Sequence, residues 1–236
     1  MIRALLPLPE NHVRLALVAA AGVLAVALLA ASVYGMLRFP GNASDARCGP
    51  ALDLAKRVAP LVHGEIAAFA VAEQGLLVPD LAFRDGNGSE RHLSDWRGRT
   101  VLLNLWATWC IPCRREMPAL NALQAKLGGP QFEVVAVNMD TRDAEKARTW
   151  LKDAGIDKLA YYADNSAKIF QALKTVARAA GLPTSLIVDP TGCEIGTIAG
   201  PAEWASPEAV ALVAATLQGE ERARPRAQSR ISDNKT

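Results

Sequence analysis

Two cysteines separated by two residues, Cys110 and Cys113, stand where an apolar run meets a helical pattern. The continuous apolar residues 101–106 predict a buried strand, and residues 112–127 have the periodicity of a helix. The free N–H groups and the partial positive charge of a helix N-terminus stabilise a thiolate over a thiol. Because the thiolate is the form that attacks disulfides, the pattern predicts a site that exchanges a dithiol for a disulfide.

The spacing gives the two sulfurs different roles. Cys110 comes first, at the junction, and is the expected exposed nucleophile, whereas Cys113 is the expected more buried resolving thiol. Positions i and i+3 share one helix face, so the two sulfurs can bond. Reduced Cys110 would attack a substrate disulfide, and Cys113 would then displace the substrate from the mixed disulfide. Two alternatives are an inert disulfide and half of a zinc site, for which Cys48 and Cys193 are the remaining candidate ligands.

Composition sets the limits of the prediction. The chain has 236 residues, of which 50% are hydrophobic, and its formal net charge is +2. This length allows one ordinary domain with appendages, and the near-neutral charge indicates no nucleic-acid or acidic partner. The three histidines, His12, His63 and His92, are too scattered for a metal cluster. We therefore expect no metal and no cofactor.

Residues 15–37 contain no charged side chain and would span about 34 Å as a helix, enough to cross a bilayer. We expect an uncleaved transmembrane anchor, with a signal peptide cleaved near residues 30–32 as the alternative. Positive charges on the two sides are nearly balanced, so the cysteines decide the orientation. All four follow the anchor, and stable disulfides need an oxidising compartment. The prediction is a short cytoplasmic N-terminus (1–14) and a single-pass bacterial inner-membrane protein whose catalytic domain is periplasmic.

The rest of the chain reads as a tether (38–47), a domain (48–219) and a disordered tail (220–236). The domain begins with an extra helical segment (48–77), whose helix over 51–72 is kinked or split at Pro60. Strands and helices then alternate and end in an antiparallel hairpin, which predicts an α/β fold with a central mixed sheet flanked by helices. The predicted strands are 81–83, 91–93, 101–106, 132–137, 159–162, 183–188 and 193–199, and the later helices are 112–127, 143–154, 166–173 and 206–219.

The string L-N-L-W-A-T-W-C-I-P-C-R-R-E-M-P resembles the active-site strand and helix of the thioredoxin superfamily. It is most similar to the membrane-anchored, periplasmic thiol-disulfide interchange proteins of the TlpA and ResA type, and closest to the TlpA type. The resemblance covers about residues 78–217 and includes F-R-D-G, L-S-D-W-R-G and G-L-P-T-S-L-I-V-D. It implies a thioredoxin-like fold.

The resemblance also implies roles for residues outside the cysteine pair. Pro183 corresponds to a cis-proline that faces the two cysteines, and the backbone of Leu182 would then be presented to a bound peptide strand. An ordinary trans proline that opens a strand is the alternative. Glu116 is similar in position to a glutamate that tunes the thiols through proton transfer or charge repulsion. Its alternative is a solvated helix residue paired with Arg114 or Arg115.

Two more expectations follow from the same resemblance. Trp109 would shield the cysteine motif and shape a docking surface. A disulfide between Cys48 and Cys193, present in some TlpA-like proteins, would fasten the N-terminal helix to the edge of the sheet. The alternative for these cysteines is two free thiols or a second redox couple.

TlpA-like proteins reduce the cysteines of client proteins so that copper or haem can be attached, and a membrane-spanning thiol reductase recharges them. The resemblance thus implies a protein-disulfide reductase acting in assembly of the cytochrome oxidase copper site, with cytochrome c haem attachment second. We also expect a monomer. A periplasmic dithiol oxidase is one alternative. A copper chaperone on the same fold is another, although Pro183 stands where it would need a ligand. A peroxidase is disfavoured because the threonine-and-cysteine pocket is missing.

Overall fold

The computed structural model describes residues 45–223 and the single residue Gly22. All the elements below belong to the second of the chain's two units, Ser44–Thr236. The predicted N-terminus (1–14), the predicted anchor apart from Gly22, and residues 224–236 of the predicted tail lie outside the described residues. Among the described residues, no helix is both long enough and apolar enough to cross a membrane.

The described residues form five α-helices and eight strands. The helices are α1 (Gly49–Val58), α2 (Ile111–Leu127), α3 (Ala144–Asp153), α4 (Lys168–Thr175) and α5 (Pro207–Ala223). The strands are β1 (Ala70–Val71), β2 (Ala82–Asp85), β3 (Glu90–His92), β4 (Thr100–Trp106), β5 (Phe132–Asn138), β6 (Tyr162–Ala163), β7 (Thr184–Val188) and β8 (Glu194–Ala199).

The strands form one mixed sheet in the order β1-β8-β7-β4-β5-β6-β2-β3. β4 runs parallel to β5 and antiparallel to β7, so the centre of the sheet combines both kinds of pairing. Helices cover both faces, and the predicted thioredoxin-like α/β fold with a central mixed sheet is confirmed.

Strand β4 shows how the sequence positions the site. All seven of its residues are buried, as expected for a strand covered on both faces. Successive side chains point to opposite faces, so Leu102 and Trp106 pack with α2 and α5, while Leu103 packs with α4. Asn104 lies on the same face as Leu102 and Trp106 and is the one polar side chain in the middle of this apolar run. The buried strand therefore fixes the position of the residues just before the cysteines, which follow its carboxyl end.

The predicted helix over 51–72 is wrong beyond Val58. Pro60 lacks an N–H, and its ring conflicts with the carbonyl four residues earlier, so a regular helix does not continue through it. The chain instead forms two 3₁₀ turns, Ala59–Leu61 and Gly64–Ile66, and then the short strand β1. The extra N-terminal segment is consequently not all helical, because β1 pairs with β8 and adds an edge to the sheet.

Three boundaries also differ from prediction. The tether was expected to reach residue 47, but a 3₁₀ turn, Ala46–Cys48, already begins at Ala46, where the Asp45 carboxylate caps it. The strand expected at 159–162 is shorter and lies later, at Tyr162–Ala163, where it pairs with β5. The last helix continues to Ala223, so residues 220–223 of the predicted disordered tail are helical. The Glu and Arg residues there have high helix propensity.

Candidate active site

The two cysteines of the motif form a disulfide at the N-terminus of α2. Strand β4 ends at Trp106, and Cys110 is the N-cap of the helix that starts at Ile111. The Cys113 N–H donates a hydrogen bond to Cys110 Sγ at 3.2 Å. A free N–H that points at the sulfur stabilises negative charge there once the disulfide is reduced. The structure thus provides a local reason for Cys110 to react as a thiolate.

The expectation of an exposed Cys110 is wrong for the disulfide form. Cys110 is only 5% exposed and Cys113 is 0% exposed, so Cys110 is merely the more accessible of the pair. The physical reason is that Cys110 Sγ is turned towards the first turn of α2, where it meets Cys113 Sγ and the Cys113 N–H. The neighbours are the exposed groups: Trp109 is 66% and Ile111 is 61% exposed. Trp109 therefore presents most of its indole to solvent next to the disulfide.

A buried carboxylate holds the loop that carries Trp109. Asp140 Oδ2 accepts hydrogen bonds from the Thr108 backbone N–H at 3.1 Å and from Asn138 Nδ2 at 2.9 Å. Asn165 Nδ2 donates to the Asp140 carbonyl. Asp140 thus links the carboxyl ends of β4 and β5 and fixes the path of the chain just before Cys110. Sequence reasoning missed this role, because Asp140 resembles an ordinary helix-capping residue.

The Leu182–Pro183 peptide bond is cis. Thr184, at the start of β7, pairs with Leu105 near the end of β4. The cis-proline turn therefore lies at the same edge of the sheet as the cysteine motif, and the trans alternative does not describe this chain. The Pro183 carbonyl accepts a hydrogen bond from Gly200 N at 2.9 Å, which ties the turn to the segment that follows β8.

Glu116 is buried, with 3% of its surface exposed, on the same face of α2 as Cys113. Its Oε1 accepts hydrogen bonds from Trp204 Nε1 at 2.6 Å and from Ala202 N at 3.2 Å. Its Oε2 is 3.4 Å from Asn104 Nδ2, a long hydrogen bond. The alternative of a solvated glutamate paired with Arg114 or Arg115 is therefore wrong, because the side chain points into the domain.

Burial is the largest influence on the Glu116 carboxyl and raises its pKa to about 7. The hydrogen bonds from Trp204, Ala202 and Asn104 act in the opposite direction, and the nearby charge of Glu203 raises the pKa slightly further. A carboxyl group with a pKa near neutrality can both accept and return a proton at physiological pH. Glu116 is therefore suited to exchanging a proton with a thiol on the same helix face, where Cys113 lies.

The polar contacts continue from Glu116 into the sheet. Asn104 Nδ2 also donates to Ser185 Oγ at 2.9 Å, across the β4–β7 pairing. Asn104 Oδ1 is buried and has no hydrogen-bond partner among the described residues. A flip of the Asn104 amide would exchange Oδ1 and Nδ2, and Oδ1 would then accept a hydrogen bond from a protonated group at the position of Glu116. Of these contacts, only Asn104 gave a sequence signal, as a polar residue inside an apolar strand.

The other two cysteines, Cys48 and Cys193, form a second disulfide, with a Cα–Cα distance of 5.5 Å. Both are 0% exposed and pack with Ala51 of α1 and with Leu77. All four cysteines are thus disulfide-bonded, which leaves no thiolate for the zinc site considered above and no free thiol pair at Cys48 and Cys193. The second disulfide joins the start of α1 to the turn before β8.

Comparison with known proteins identifies this arrangement. The AhpC/TSA family model matches residues 75–193, half of the chain. The thiol-disulfide oxidoreductase ResA of Bacillus cereus is 31% identical over 140 residues, which is 59% of this chain and 78% of the relative. The chain belongs to the AhpC/TSA family. Within it, the chain is a thiol-disulfide oxidoreductase of the ResA and DsbE type.

Other relatives agree. The thioredoxin-like protein YneN of Bacillus subtilis is 44% identical over 75 residues, covering 32% of this chain and 42% of the relative. Among solved structures, the thiol:disulfide interchange protein DsbE of Chlorobium tepidum is similar, with a TM-score of 0.53 and 31% sequence identity. That likeness covers 61% of this chain and 96% of the other. Activity as a protein-disulfide reductase is consistent with all of these relatives.

Replacing Glu116 of this oxidoreductase with glutamine is expected to change stability in a pH-dependent way. Because the native pKa of about 7 lies above the ordinary 4.5, the folded protein binds the proton more tightly than the unfolded chain. Wild-type stability is therefore lost as pH rises from about 4.5 to about 7. Glutamine does not ionise, so E116Q should be more stable than wild type by up to about 3 kcal/mol at pH ~8 and should match it at pH ~4.

The measurement is urea unfolding of the oxidised proteins at both pH values, with Glu73→Gln, an exposed glutamate, as the control. With the Asn104 amide flipped, its Oδ1 would accept a hydrogen bond from the glutamine amide, and the variant side chain has the size of the original. An equal change at both pH values would mean that Glu116 affects packing and not proton binding.

Proposed function

We propose that this chain is a membrane-anchored, periplasmic reductant of disulfides in client proteins. The observation that carries this is the Cys110–Cys113 disulfide at a helix N-terminus, with the buried carboxyl of Glu116 on the same helix face as Cys113. The uncharged segment 15–37 supports the anchor, and the buried Cys48–Cys193 disulfide supports an oxidising compartment.

The reaction begins from the reduced enzyme. The Cys110 thiolate attacks one sulfur of a client disulfide, which breaks that bond, forms a mixed disulfide and releases the client's other sulfur as a thiolate. Cys113 then transfers its proton to the Glu116 carboxylate, and its sulfur attacks Cys110 Sγ. This step forms the Cys110–Cys113 disulfide and releases the client with both sulfurs reduced. One client thiolate takes the Glu116 proton through solvent, and the other takes from solvent the proton that Cys110 released on ionising. Two electrons pass from the enzyme to the client.

The surface around the disulfide suits a polypeptide client. The exposed Trp109 and Ile111 flank Cys110, so a client that reaches the sulfur also covers these apolar groups. A cleft of about 500 Å³ beside Trp109 is lined further by Thr141, Arg142 and Lys146 among others. The Leu182–Pro183 turn at the same sheet edge provides backbone groups with which an extended client segment can pair.

The resemblance to TlpA-type proteins supports a more specific role. We infer that the clients are proteins of cytochrome oxidase copper-site assembly, or apocytochromes awaiting haem as the second choice. A membrane-spanning thiol reductase would return the enzyme to its dithiol form by supplying two electrons and two protons. The catalytic domain would act as a monomer held at the inner membrane.

The Cys113→Ala variant should capture its clients. Without the resolving thiol, the mixed disulfide with Cys110 has no intramolecular route to release. In periplasmic extract we expect adducts that disappear on reduction and whose partners carry cysteine pairs, identified by mass spectrometry. The matched control is Cys110→Ala/Cys113→Ala, which should form none. Adducts at equal yield in both variants would contradict the assignment of Cys110 as nucleophile.

The direction of electron flow is tested separately, by the equilibrium of the purified protein with glutathione. A reduction potential of about −120 mV, the value of a strong periplasmic oxidant, would contradict a reductant and favour a dithiol oxidase.

A further inference from the structure

The segment between β8 and α5, residues 200–206, contacts both parts of the site. We refer to it as the β8–α5 loop. At its start, Gly200 N donates to the carbonyl of Pro183, and further along Ala202 N and Trp204 Nε1 donate to Glu116 Oε1. One short loop therefore sets the position of Glu116 relative to the cis-proline turn.

Trp204 itself is rigidly held. It is fully buried and packs against Phe69 in a T-shaped contact, with ring centroids 6.5 Å apart and an interplanar angle of 88°. Its 2.6 Å hydrogen bond is the shortest of the three that Glu116 accepts. Hydrogen bonds in which one partner is ionised are both shorter and stronger than neutral ones.

We propose that Trp204 is a positioning residue for disulfide exchange, whose indole N–H orients the Glu116 carboxylate and keeps it ionised to accept the Cys113 proton. The proposal rests on the proton-accepting role proposed above for Glu116, which lies on the same helix face as Cys113.

The hydrogen-bond donors that contact the Glu116 carboxylate are uncharged groups. On α2 it lies three residues after Cys113, and it contacts the amide of Asn104 from β4 and Ala202 N and Trp204 Nε1 from the β8–α5 loop. Glu203 is the charged neighbour with an influence on it among the described residues, and its effect opposes ionisation. Since the described residues provide no cation to offset burial, the carboxylate depends on these donors for its charge.

The test replaces the N–H without changing the shape of the side chain. Trp204→Phe is the simple variant, and β-(3-benzothienyl)alanine at position 204, with sulfur in place of the N–H, keeps the packing should phenylalanine fail to fold. In either protein we expect the Glu116 titration midpoint, followed by ¹³C NMR of the labelled carboxyl, to rise by about 1–2 pH units. The rate of client-disulfide reduction at pH 7 should fall about 10-fold and recover at alkaline pH.

Trp96→Phe is the matched control. Trp96 is also buried and donates its indole N–H to a carboxylate, Glu133 Oε2, at 2.9 Å, but it packs on the other face of the sheet. The control should lose stability without moving the pH profile of the reaction. A Trp204 variant whose Glu116 midpoint is unchanged, or whose rate falls equally at all pH values, would overturn the proposal.

Glu116→Gln separates the two hypotheses. If that variant loses the pH dependence of the rate while the Trp204 variants keep the wild-type profile, only the role of Trp204 is wrong. If E116Q retains the wild-type profile, the proton-accepting role of Glu116 is wrong, and the role of Trp204 with it. If both behave as expected, the E116Q/W204F double variant should show no pH shift beyond that of E116Q alone.

Discussion

Cys110→Ser should lower the rate of client-disulfide reduction at least about 10³-fold, because the nucleophile is lost while the rest of the site is retained. A serine hydroxyl is not ionised near neutral pH, so the Cys113 N–H that stabilises charge on Cys110 Sγ has no anion to stabilise. The measurement is turnover of a disulfide-containing protein substrate with dithiothreitol as the source of electrons.

Cys113→Ser is the matched control for this loss. It retains the first attack, so the pre-reduced variant, freed of dithiothreitol before client is added, should bind one equivalent of client covalently in a burst and then stop. Substantial turnover by Cys110→Ser would show that Cys113, despite its complete burial, reacts first. If Cys110→Ser is inactive and Cys113→Ser binds one equivalent of client, Cys110 is the sulfur that attacks the client first.

Much of the fold is determined by local sequence patterns and can therefore be predicted from the sequence. The apolar residues of β4 and the helical pattern after Cys113 place the disulfide at a strand-to-helix junction, and the structure has it there. The alternation of strands and helices likewise predicts the mixed sheet. Each of these features depends on side-chain period and on neighbours within a few residues, which a sequence displays directly.

The N-terminal segment was predicted less well for a definite reason. Ile66 and Phe69 continue the apolar spacing of α1, and both are buried, but they reach the core from a 3₁₀ turn and from the chain before β1. These two residues are therefore buried and spaced as in an α-helix, although the chain is not α-helical there. Strand β1 has only two residues, and what makes it a strand is its pairing with β8, more than 120 residues later.

The surroundings of Glu116 could not be predicted because they are assembled from distant segments. Its closest partner, Trp204, is 88 residues away in sequence, and Asn104 lies 12 residues away on the preceding strand. Nothing local distinguishes Glu116 from a solvated glutamate, since Arg114 and Arg115 precede it. Only the resemblance to a known family drew attention to it, and only the structure shows its donors.

Removing the second disulfide with Cys48→Ala/Cys193→Ala should lower the free energy of unfolding by up to about 5 kcal/mol. The two cysteines are 145 residues apart, so the bond constrains most of the unfolded domain, and the chain-entropy model assigns a large effect to so long a loop. The measurement is urea unfolding without reductant. The control is Cys110→Ala/Cys113→Ala, whose disulfide spans three positions and should contribute only about 2 kcal/mol.

The lower free energy of unfolding should result from loss of the crosslink and not from the change of side chains. When unfolding is measured in dithiothreitol, wild type loses both bonds in the unfolded state, so its stability should approach that of the Cys48→Ala/Cys193→Ala variant under the same conditions. A persistent difference would assign the effect to packing of the two sulfurs against Ala51 and Leu77. The variant should keep its disulfide-exchange rate while folded, because this bond lies at the start of α1 and before β8, whereas the exchanging cysteines lie at the N-terminus of α2. The domain would then have two disulfides with separate tasks, one that exchanges with clients and one that keeps the N-terminal segment on the sheet.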